Sequence, residues 1–406
     1  MPPVGERFNE YVQVDTTAGR GPRPTPSSPG QQALLERLAS ELRTFGLAPD
    51  LRDGLLIAHV GATPGLERAP CIGFIAHVDT SPEVTGNGVR PITHRAYDGR
   101  DLALPDDASL ALRASEQPAL AAKIGHDIVT ASGRTLLGGD DKAGVAIVMT
   151  LVERLAAGGT PHGRVAVAFT TDEEIGHGAD GFDLDAFGAV AAYTLDGGEA
   201  GEIEAENFNA DGMTVTFIGF NTHPGYAKGR LANALRALGH FLAALPANLS
   251  PERTDGREGF IHPHTAGGGV EHASAQLILR DFSQTGLDDQ AGIVEHAARG
   301  AAAQVPGVSV TIERVEQYRN MRDMLALQPH VAGFAEEAIR LAGLEVLRRP
   351  IRGGTDGAKL SAMGLPTPNL FAGQHNIHSR LEWVSVQDME KAVEVCEHLC
   401  RIWGRV

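Results

Sequence analysis

Short apolar runs that end in acidic or histidine residues recur along this chain. They share β-branched or aromatic cores stopped by glycine or charge, and they span residues 74–79, 137–142, 167–174, 192–198 and 368–378. Runs of this kind are typical of buried strands in a parallel sheet. Because such sheets gather their functional groups just beyond the carboxyl ends of the strands, we expect the polar residues of these segments to lie together.

The periodicity also divides the chain into an outer domain and an inserted one. Residues 1–208 and 320–406 alternate between helix and strand, which predicts an α/β domain with a mostly parallel central sheet. Residues 209–319 follow the order β-α-β-β-α-β, which predicts an inserted α+β domain. Near the start, the segment from Ser28 to Gln31 predicts the N-terminus of a helix, with a capping box and proline at the first helical position.

Composition narrows the class of protein. The 406 residues carry a formal net charge of −16, which disfavours nucleic acid and anionic membranes as partners because both need a basic surface. No run approaches the roughly 20 apolar residues of a membrane span, and the first residues lack the apolar core of a signal peptide. The 3 cysteines are too few for a disulfide framework and favour a reducing compartment. We therefore expect a cytoplasmic protein.

The polar residues at the strand ends have the chemistry of a hydrolytic metal site. Histidine with aspartate and glutamate, and no soft ligand, is a donor set most often used for zinc. His77 and Asp79 stand two residues apart on one predicted strand, so their side chains leave the same face and one can orient the other at a metal. Asp196 and His378 extend the same donor set from two further segments.

Two acidic pairs add what a metal-dependent hydrolase needs. One carboxylate of Asp140–Asp141 can bridge two cations, and one of Glu173 and Glu174 can bind metal while the other serves as a general base. Taken alone, Asp-Asp-Lys is also a common helix N-terminus, and Glu-Glu is a common acidic loop. The joint occurrence of all the segments, rather than any one of them, favours a two-metal hydrolase.

Further motifs make the chain resemble a known family. They span residues 161–163, 204–210, 223–229, 280–282, 318–322 and 351–357. Together with the acidic segments, they resemble the co-catalytic zinc metallopeptidase family that includes bacterial glutamate carboxypeptidases and succinyl-diaminopimelate desuccinylase. The Asn-Phe-Asn, His-Pro-Gly and Arg-Gly-Gly-Thr-Asp-Gly segments narrow the resemblance to the peptidase T group of tripeptide aminopeptidases. The similarity runs essentially from end to end.

The resemblance implies a di-zinc catalytic domain, two Zn²⁺ per subunit and a role for each ligand. One zinc is expected on His77, Asp140 and Asp196, and the second on Asp140, Glu174 and His378. The resemblance makes Glu173 the general base and Asp79 the residue that orients His77. It also implies a cis peptide between Asp140 and Asp141.

Residues for substrate binding are implied in the same way, mainly in the inserted domain, which the resemblance makes a lid. His223 is expected over the scissile carbonyl and Arg280 near the substrate carboxylate, with Arg352 of the catalytic domain assisting. Glu204 and Glu206 beside Asn207 would suit a substrate ammonium, although these acids could equally be solvated. Without the resemblance, His223 would be interpreted as a turn residue fixed by Pro224.

The function that this resemblance implies is removal of the N-terminal residue from tripeptides, with a metal-bridging water deprotonated by Glu173. The nearest alternative is the same machinery acting as a dipeptidase, carboxypeptidase or N-acyl amino acid amidohydrolase. A catalytically silent binding protein on this scaffold is a further alternative.

Short peptides are the expected substrates, and a homodimer through the lid domain is a possible assembly. The chain departs from the family pattern at Leu381, where a second histidine is expected.

Overall fold

The computed structural model describes residues 3–21 and 24–406, which form two compact units. The first unit contains the described residues up to Ala205, together with Met321–Arg349 and Thr355–Val406. The second contains Glu206–Asn320 and Pro350–Gly354. The second unit is therefore an insertion that also takes in one short segment from much later in the chain.

Helices and strands alternate along the first part of the chain. The helices are α1 (Val4–Tyr11), α2 (Pro29–Thr44), α3 (Pro118–Ala121), α4 (Gly139–Ala157) and α5 (Leu184–Phe187). The strands are β1 (Asp50–Arg52), β2 (Leu55–Val60), β3 (Ile72–His77), β4 (Ile92–His94), β5 (Leu102–Ala103), β6 (Ala111–Leu112), β7 (Ile128–Thr130), β8 (Val165–Thr170), β9 (Ala191–Gly197) and β10 (Glu202–Glu204).

The inserted unit and the C-terminal part complete the set of elements. The second unit contains β11 (Asn209–Ile218), α6 (Ala234–Ala244), β12 (Phe260–Gly268), β13 (His272–Asp281), α7 (Gln284–Ala303) and β14 (Ser309–Tyr318). The chain then forms α8 (Arg322–Leu327), α9 (Pro329–Leu341), β15 (Leu347–Arg348), α10 (Asp356–Ala362), β16 (Asn369–Phe371), β17 (Gln374–His375), β18 (Trp383–Ser385) and α11 (Val386–Trp403). Over the described ranges, no helix combines the length and the apolar character that crossing a bilayer requires.

The first unit is built on an eight-stranded mixed sheet with the order β1-β2-β8-β3-β9-β16-β10-β15. Its central strands β8, β3, β9 and β16 pair in parallel, whereas β1–β2, β2–β8 and β16–β10 pair antiparallel. The edge strand β15 again pairs in parallel with β10, so the sheet is mixed with a parallel centre, which refines the expected mostly parallel sheet. β3 and β8 are buried along their whole length, as the continuous apolar runs require, and α4 packs against β3 and β9.

The second unit is a four-stranded antiparallel sheet with the order β12-β13-β11-β14. Buried and half-buried residues alternate along β11, so one face of the sheet forms a core while the other stays more accessible. The helices α6 and α7 cover the core face, where Val215, Phe217 and Leu279 meet Phe241 and Val294. Its elements follow one another in the order strand, helix, two strands, helix and strand.

The start of α2 differs from the predicted capping box. The helix begins at Pro29 as expected, but the Ser28 side chain makes no capping hydrogen bond. Gln31 instead donates from Nε2 to Ser27 Oγ at 3.2 Å and to Asp172 Oδ1 at 2.8 Å. Asp172 is buried and needs donors, so the glutamine serves this carboxylate rather than the helix terminus.

Candidate metal centre

The first element of the site is the end of β3, where His77 and Asp79 project on one side. His77 Nε2 lies 3.0 Å from Asp140 Oδ1 and 3.8 Å from Asp196 Oδ1, while its Nδ1 lies 3.3 Å from Asp79 Oδ1. The two oxygens of Asp79 also accept the backbone N–H groups of Glu173 and Glu174, each at 3.1 Å. Asp79 therefore anchors the turn that carries the glutamates and lies beside the imidazole, whose Nδ1 has no hydrogen-bond partner.

Asp140 lies at the centre of two groups of donor atoms. His378 Nε2 is 3.1 Å from Asp140 Oδ2 and 2.9 Å from Glu174 Oε2. Two sets of potential metal ligands result among the described residues, namely His77 with Asp140 and Asp196, and Asp140 with Glu174 and His378. Within each set, the donor atoms all lie within 4.8 Å of one another. The structure thus brings together all five predicted ligands, with Asp140 common to both sets.

The neighbouring carboxylate of Asp141 points elsewhere. Its oxygens accept the backbone N–H of His77 at 3.2 Å and of Gly144 at 3.0 Å. The Asp140–Asp141 peptide bond is cis, as the family resemblance implies, and neither residue has helical dihedral angles at the start of α4. Of this acidic pair, only Asp140 joins the metal-type clusters.

The charge balance of the cluster favours cations. Burial, followed by the nearby charge of Asp140, raises the pKa of Asp196 to about 6 and that of Glu174 to about 8. For Asp140, burial is outweighed by hydrogen bonds with His378 and His77, which hold its pKa below the ordinary value. Glu174 Oε1 is also buried without a hydrogen-bond partner. Crowded carboxylates with two imidazoles and an unsatisfied oxygen fit the nitrogen and oxygen ligand set of divalent zinc.

Glu173 stands beside the clusters without belonging to either. It begins a short 3₁₀ helix, Glu173–Ile175, directly after the turn that follows β8. Burial raises the pKa of Glu173 well above its usual value, and the negative charges of Asp356, Asp196 and Glu174 contribute, although His77 opposes them. Glu173 belongs to neither ligand cluster, and its role as the base stays a prediction.

Two residues that the sequence analysis did not single out hold the ligands in place. Glu382 Oε2 accepts the N–H groups of Leu137 and Gly138 at 2.7 and 2.8 Å, and its Oε1 accepts that of Asp140 at 3.0 Å. Gln374 Nε2 donates to Asp196 Oδ1 at 2.9 Å and to the Asp196 carbonyl at 3.1 Å. The only available signal was the position of Glu382 four residues after His378, which by itself is uninformative.

Two predicted substrate-binding residues are occupied with protein contacts in the second unit. Asn207 is fully buried, and its Nδ2 donates to the carbonyls of Phe208 at 2.7 Å and Arg319 at 3.3 Å. Arg352 donates from Nη1 to the carbonyls of Gly256 and Glu258 at 2.8 and 2.9 Å. Its Nη2 contacts the carbonyl and the hydroxyl of Thr254. These contacts give both residues a structural role, and the substrate roles expected of them stay predictions.

The structure groups Arg352 differently from the sequence analysis. The sequence analysis assigns it to the catalytic domain, whereas the structure groups Pro350–Gly354 with the second unit. The backbone explains this, because Ile351 forms a parallel bridge with Asn207 and exchanges hydrogen bonds with Glu206 and Phe208. A five-residue segment is thereby attached to the inserted unit.

Arg280 and His223 keep more of their polar capacity. Arg280 Nη1 donates to the carbonyl of Arg352 at 3.0 Å, but its Nε is buried without a hydrogen-bond partner. His223 is exposed at the start of a short 3₁₀ helix, and its Nδ1 accepts the N–H of Gly225 at 3.1 Å. A neutral His223 therefore carries its proton on Nε2, the nitrogen that is left to meet a ligand.

The two acids near Asn207 each contact another residue of the protein. Arg257 binds the carboxylate of Glu206 and also lies over the ring of Phe282. Glu204 belongs to the first unit, where its Oε2 accepts the amide of Asn369 at 2.6 Å. Each acid thus has a partner within the protein, and binding of a substrate ammonium by this pair stays a prediction.

Leu381, where a second histidine is expected, packs against an apolar cluster. That cluster contains Tyr97, Leu112, Leu120, Ile128 and Trp383. The nearby His375 stacks on Trp383 with ring centroids 4.0 Å apart, and burial lowers its pKa to about 3. Leu381 thus extends a hydrophobic contact rather than the ligand set.

Comparison with known proteins identifies similar sequences over the whole chain. Residues 136–401 match the profile of Peptidase family M20/M25/M40. A Peptidase T from Clostridium perfringens is 43% identical over 411 residues, covering 100% of both chains. A Peptidase T from Geobacillus thermodenitrificans is 42% identical over 401 residues, covering 98% of this chain and 97% of its own.

Solved structures share the fold at lower sequence identity. The aminopeptidase PepT from Bacillus cereus superposes with a TM-score of 0.76 at 22% identity, covering 98% of both chains. A Bacillus subtilis protein described as a dinuclear metal binding peptidase from the M20 family gives a TM-score of 0.65 at 13% identity, covering 98% of this chain and 97% of its own.

Proposed function

Because the chain belongs to Peptidase family M20/M25/M40, we propose that it is an aminopeptidase that removes the N-terminal residue from tripeptides. The observation that carries this proposal is the pair of ligand clusters sharing Asp140, in a chain whose full length resembles proteins named Peptidase T. Such an arrangement suits metal-assisted hydrolysis of an amide.

We assign two Zn²⁺ ions to these clusters. One ion would be held by His77, Asp140 and Asp196, and the other by Asp140, Glu174 and His378. When bound, the ions would supply Lewis-acid polarisation of the scissile carbonyl and lower the pKa of water. Asp79 would keep His77 oriented through the 3.3 Å contact with its Nδ1.

Glu173 is the proposed general base. Its carboxylate would take a proton from the attacking water and return it to the amine that leaves as the peptide bond breaks. Burial raises the pKa of Glu173 above its ordinary value, which favours its holding a proton between the two transfers. The N–H contacts of the Glu173–Glu174 turn with Asp79 hold this carboxylate next to the ligand set.

The second unit would contribute two groups that bind the substrate. His223 Nε2–H would donate a hydrogen bond to the oxyanion that forms as the carbonyl is attacked. Arg280 would pair with the carboxylate at the end of a short peptide, because a guanidinium can donate two parallel hydrogen bonds to it. The unpaired Arg280 Nε and the tautomer of His223 support these roles.

Product analysis with matched peptides tests the proposal. The zinc-loaded protein should release the first residue from a free tripeptide and leave the dipeptide. N-acetylation should abolish cleavage, because an aminopeptidase needs the free α-amino group, and C-amidation should slow it. Equal rates on acetylated and free tripeptides would contradict the aminopeptidase assignment and favour an acyl-amide hydrolase.

A further inference from the structure

The strand that carries Asp196 is irregular at this residue. β9 pairs in parallel with β16 through Thr194 and Asn369, and the next matched pair is Gly197 with Phe371. β9 therefore uses one residue more than β16 between the two pairs, which is a β-bulge. A bulge removes a backbone group from the regular ladder, so the N–H of Asp196 needs another acceptor.

That acceptor is the side chain of Asn369. Its Oδ1 lies 3.0 Å from the Asp196 nitrogen and 2.9 Å from Thr194 Oγ1. On the opposite side, Asn369 Nδ2 donates to Glu204 Oε2 at 2.6 Å. The amide has one orientation that satisfies these partners, because the two donors meet its oxygen and the carboxylate meets its nitrogen.

Glu204 stands directly opposite Asn369 in the antiparallel pairing of β10 with β16. Among the described residues, no lysine, arginine or histidine lies within ion-pair distance of its carboxylate. The strong contact of this acid is therefore the Asn369 amide, which it holds with its oxygen towards Asp196. Three neighbouring strands are linked by this chain of contacts, from β10 through β16 to β9.

We propose that Glu204 and Asn369 are positioning residues, which together hold the bulge in β9 and so set the direction of the Asp196 carboxylate. Gln374 also contacts Asp196, because its Nε2 donates to the Asp196 carbonyl and to Oδ1. The proposal rests on the metal pair assigned above and gives Glu204 a role in the metal site rather than in binding the substrate amine.

Metal binding by variants of the full chain tests whether Glu204 and Asn369 position Asp196. Asn369→Ala leaves the Asp196 N–H without an acceptor, and Glu204→Ala frees the Asn369 amide to rotate. Zn²⁺ affinities measured by competition with a chromophoric chelator should fall by about 10–100-fold at one site for Asn369→Ala and by about tenfold for Glu204→Ala, as found for residues behind metal ligands. The other site should keep its affinity. Glu204→Gln keeps an acceptor for the amide and should bind Zn²⁺ like the parent.

A matched control separates positioning from general destabilisation. Tyr193 lies on the same strand, where its hydroxyl donates to the Val331 carbonyl at 3.0 Å and accepts the Trp403 indole N–H at 2.9 Å. Tyr193→Phe should lower the melting temperature without changing either Zn²⁺ affinity. If Asn369→Ala does not fold, Glu204→Ala and Thr194→Val carry the same test, because each removes one contact of the Asn369 amide.

Several outcomes would overturn the positioning role of Glu204 and Asn369. Wild-type Zn²⁺ affinity in Glu204→Ala, or an equal loss in Tyr193→Phe, would remove the positioning role. A higher KM for free tripeptides in Glu204→Gln, with both metals retained, would indicate that Glu204 binds the substrate amine instead. A chain that binds two Zn²⁺ ions but cleaves no tripeptide would refute the proposed function and leave the affinity comparison intact. A chain that binds no Zn²⁺ would refute both.

Discussion

The sequence predicts a role at the site for both Asp140 of the first unit and Arg352 of the second, and their polar atoms meet different partners. Asp140 faces the imidazoles of His77 and His378 and belongs to both ligand clusters. Arg352 uses both Nη atoms on carbonyls and a hydroxyl of residues 254–258. Asp140 lies among other potential metal ligands, whereas the guanidinium of Arg352 is hydrogen-bonded to the backbone and a hydroxyl of its own unit.

The difference shows how a functional polar residue can be told from a structural one. Carboxylates in the first unit are held next to one another, which burial makes costly unless a cation is present. In the second unit, Asn207 donates to a buried backbone carbonyl, whereas Arg352 donates to carbonyls of the exposed residues Gly256 and Glu258. A role in binding is supported by polar atoms that lack a protein partner, such as Glu174 Oε1 and Arg280 Nε.

The largest expected effect comes from the base in the first unit. Glu173→Gln should lower kcat by about 10²–10⁴-fold, because the amide cannot accept the proton of the attacking water. Metal analysis should show both ions retained, since Glu173 belongs to neither cluster. Glu174→Gln is the matched variant and should lose the second ion. A depleted Glu173→Gln with a fully loaded Glu174→Gln would mean that the two assignments are exchanged.

An oxyanion donor in the second unit should have the next largest effect. His223→Ala should lower kcat by about 10²–10³-fold with both metals retained, because the developing negative charge loses a hydrogen bond. His264→Ala removes another exposed histidine of the same unit and serves as the control, with kcat expected near the parent value. Unchanged kcat in His223→Ala would leave His223 as a turn residue that accepts the Gly225 N–H.

Mixing two inactive variants tests whether His223 serves its own chain. If a homodimer places this residue at the partner's metals, His223→Ala mixed with Glu173→Gln should recover part of the activity once subunits exchange. If each chain is self-sufficient, the mixture should remain inactive. Subunit exchange should be verified by native mass spectrometry, so that an inactive mixture has one interpretation.

The sequence was sufficient for the family and for the residues that converge on Asp140. Full-length relatives named Peptidase T confirm the family resemblance. The acidic and histidine residues could be identified because they end strands of the same sheet, whose carboxyl ends meet. The assignment of each ligand to one of two ions came from the resemblance, since strand ends alone do not divide them.

The supporting residues could not be found in the same way. Glu382 contacts the N–H of Asp140 across 242 positions of the chain, and Asn369 contacts that of Asp196 across 173. Glutamate and asparagine occur in many surroundings, so their type does not reveal which backbone group they meet. The sequence also did not predict that Pro350–Gly354 belongs to the second unit, because a segment of five residues is too short to show a periodicity.

Two arginines of the second unit, Arg280 and Arg352, sharpen the comparison. Arg280→Ala should raise KM for free tripeptides by roughly 10–100-fold, since a hydrogen-bonded charge contributes about 1.5–3 kcal/mol. C-amidated peptides should lose less, because they lack the carboxylate that Arg280 would bind. Arg352→Ala should instead lower the free energy of unfolding by about 1–3 kcal/mol through its lost contacts with residues 254–258. Similar KM changes in both variants would contradict this division.

The smallest effect is expected at Leu381, where the chain departs from the family pattern next to the metal site. Leu381→His would place a polar ring against the cluster that contains Leu112, Leu120 and Trp383. We expect a loss of about 1–2 kcal/mol in unfolding free energy, because the ring exchanges apolar contacts for a polar group without a partner there. Leu381→Met conserves volume and should cost less than about 1.5 kcal/mol. Denaturant unfolding measures both, while Zn²⁺ affinity should remain unchanged, since Leu381 belongs to neither ligand cluster. A change in Zn²⁺ affinity in Leu381→His alone would show that this position reaches the metals after all.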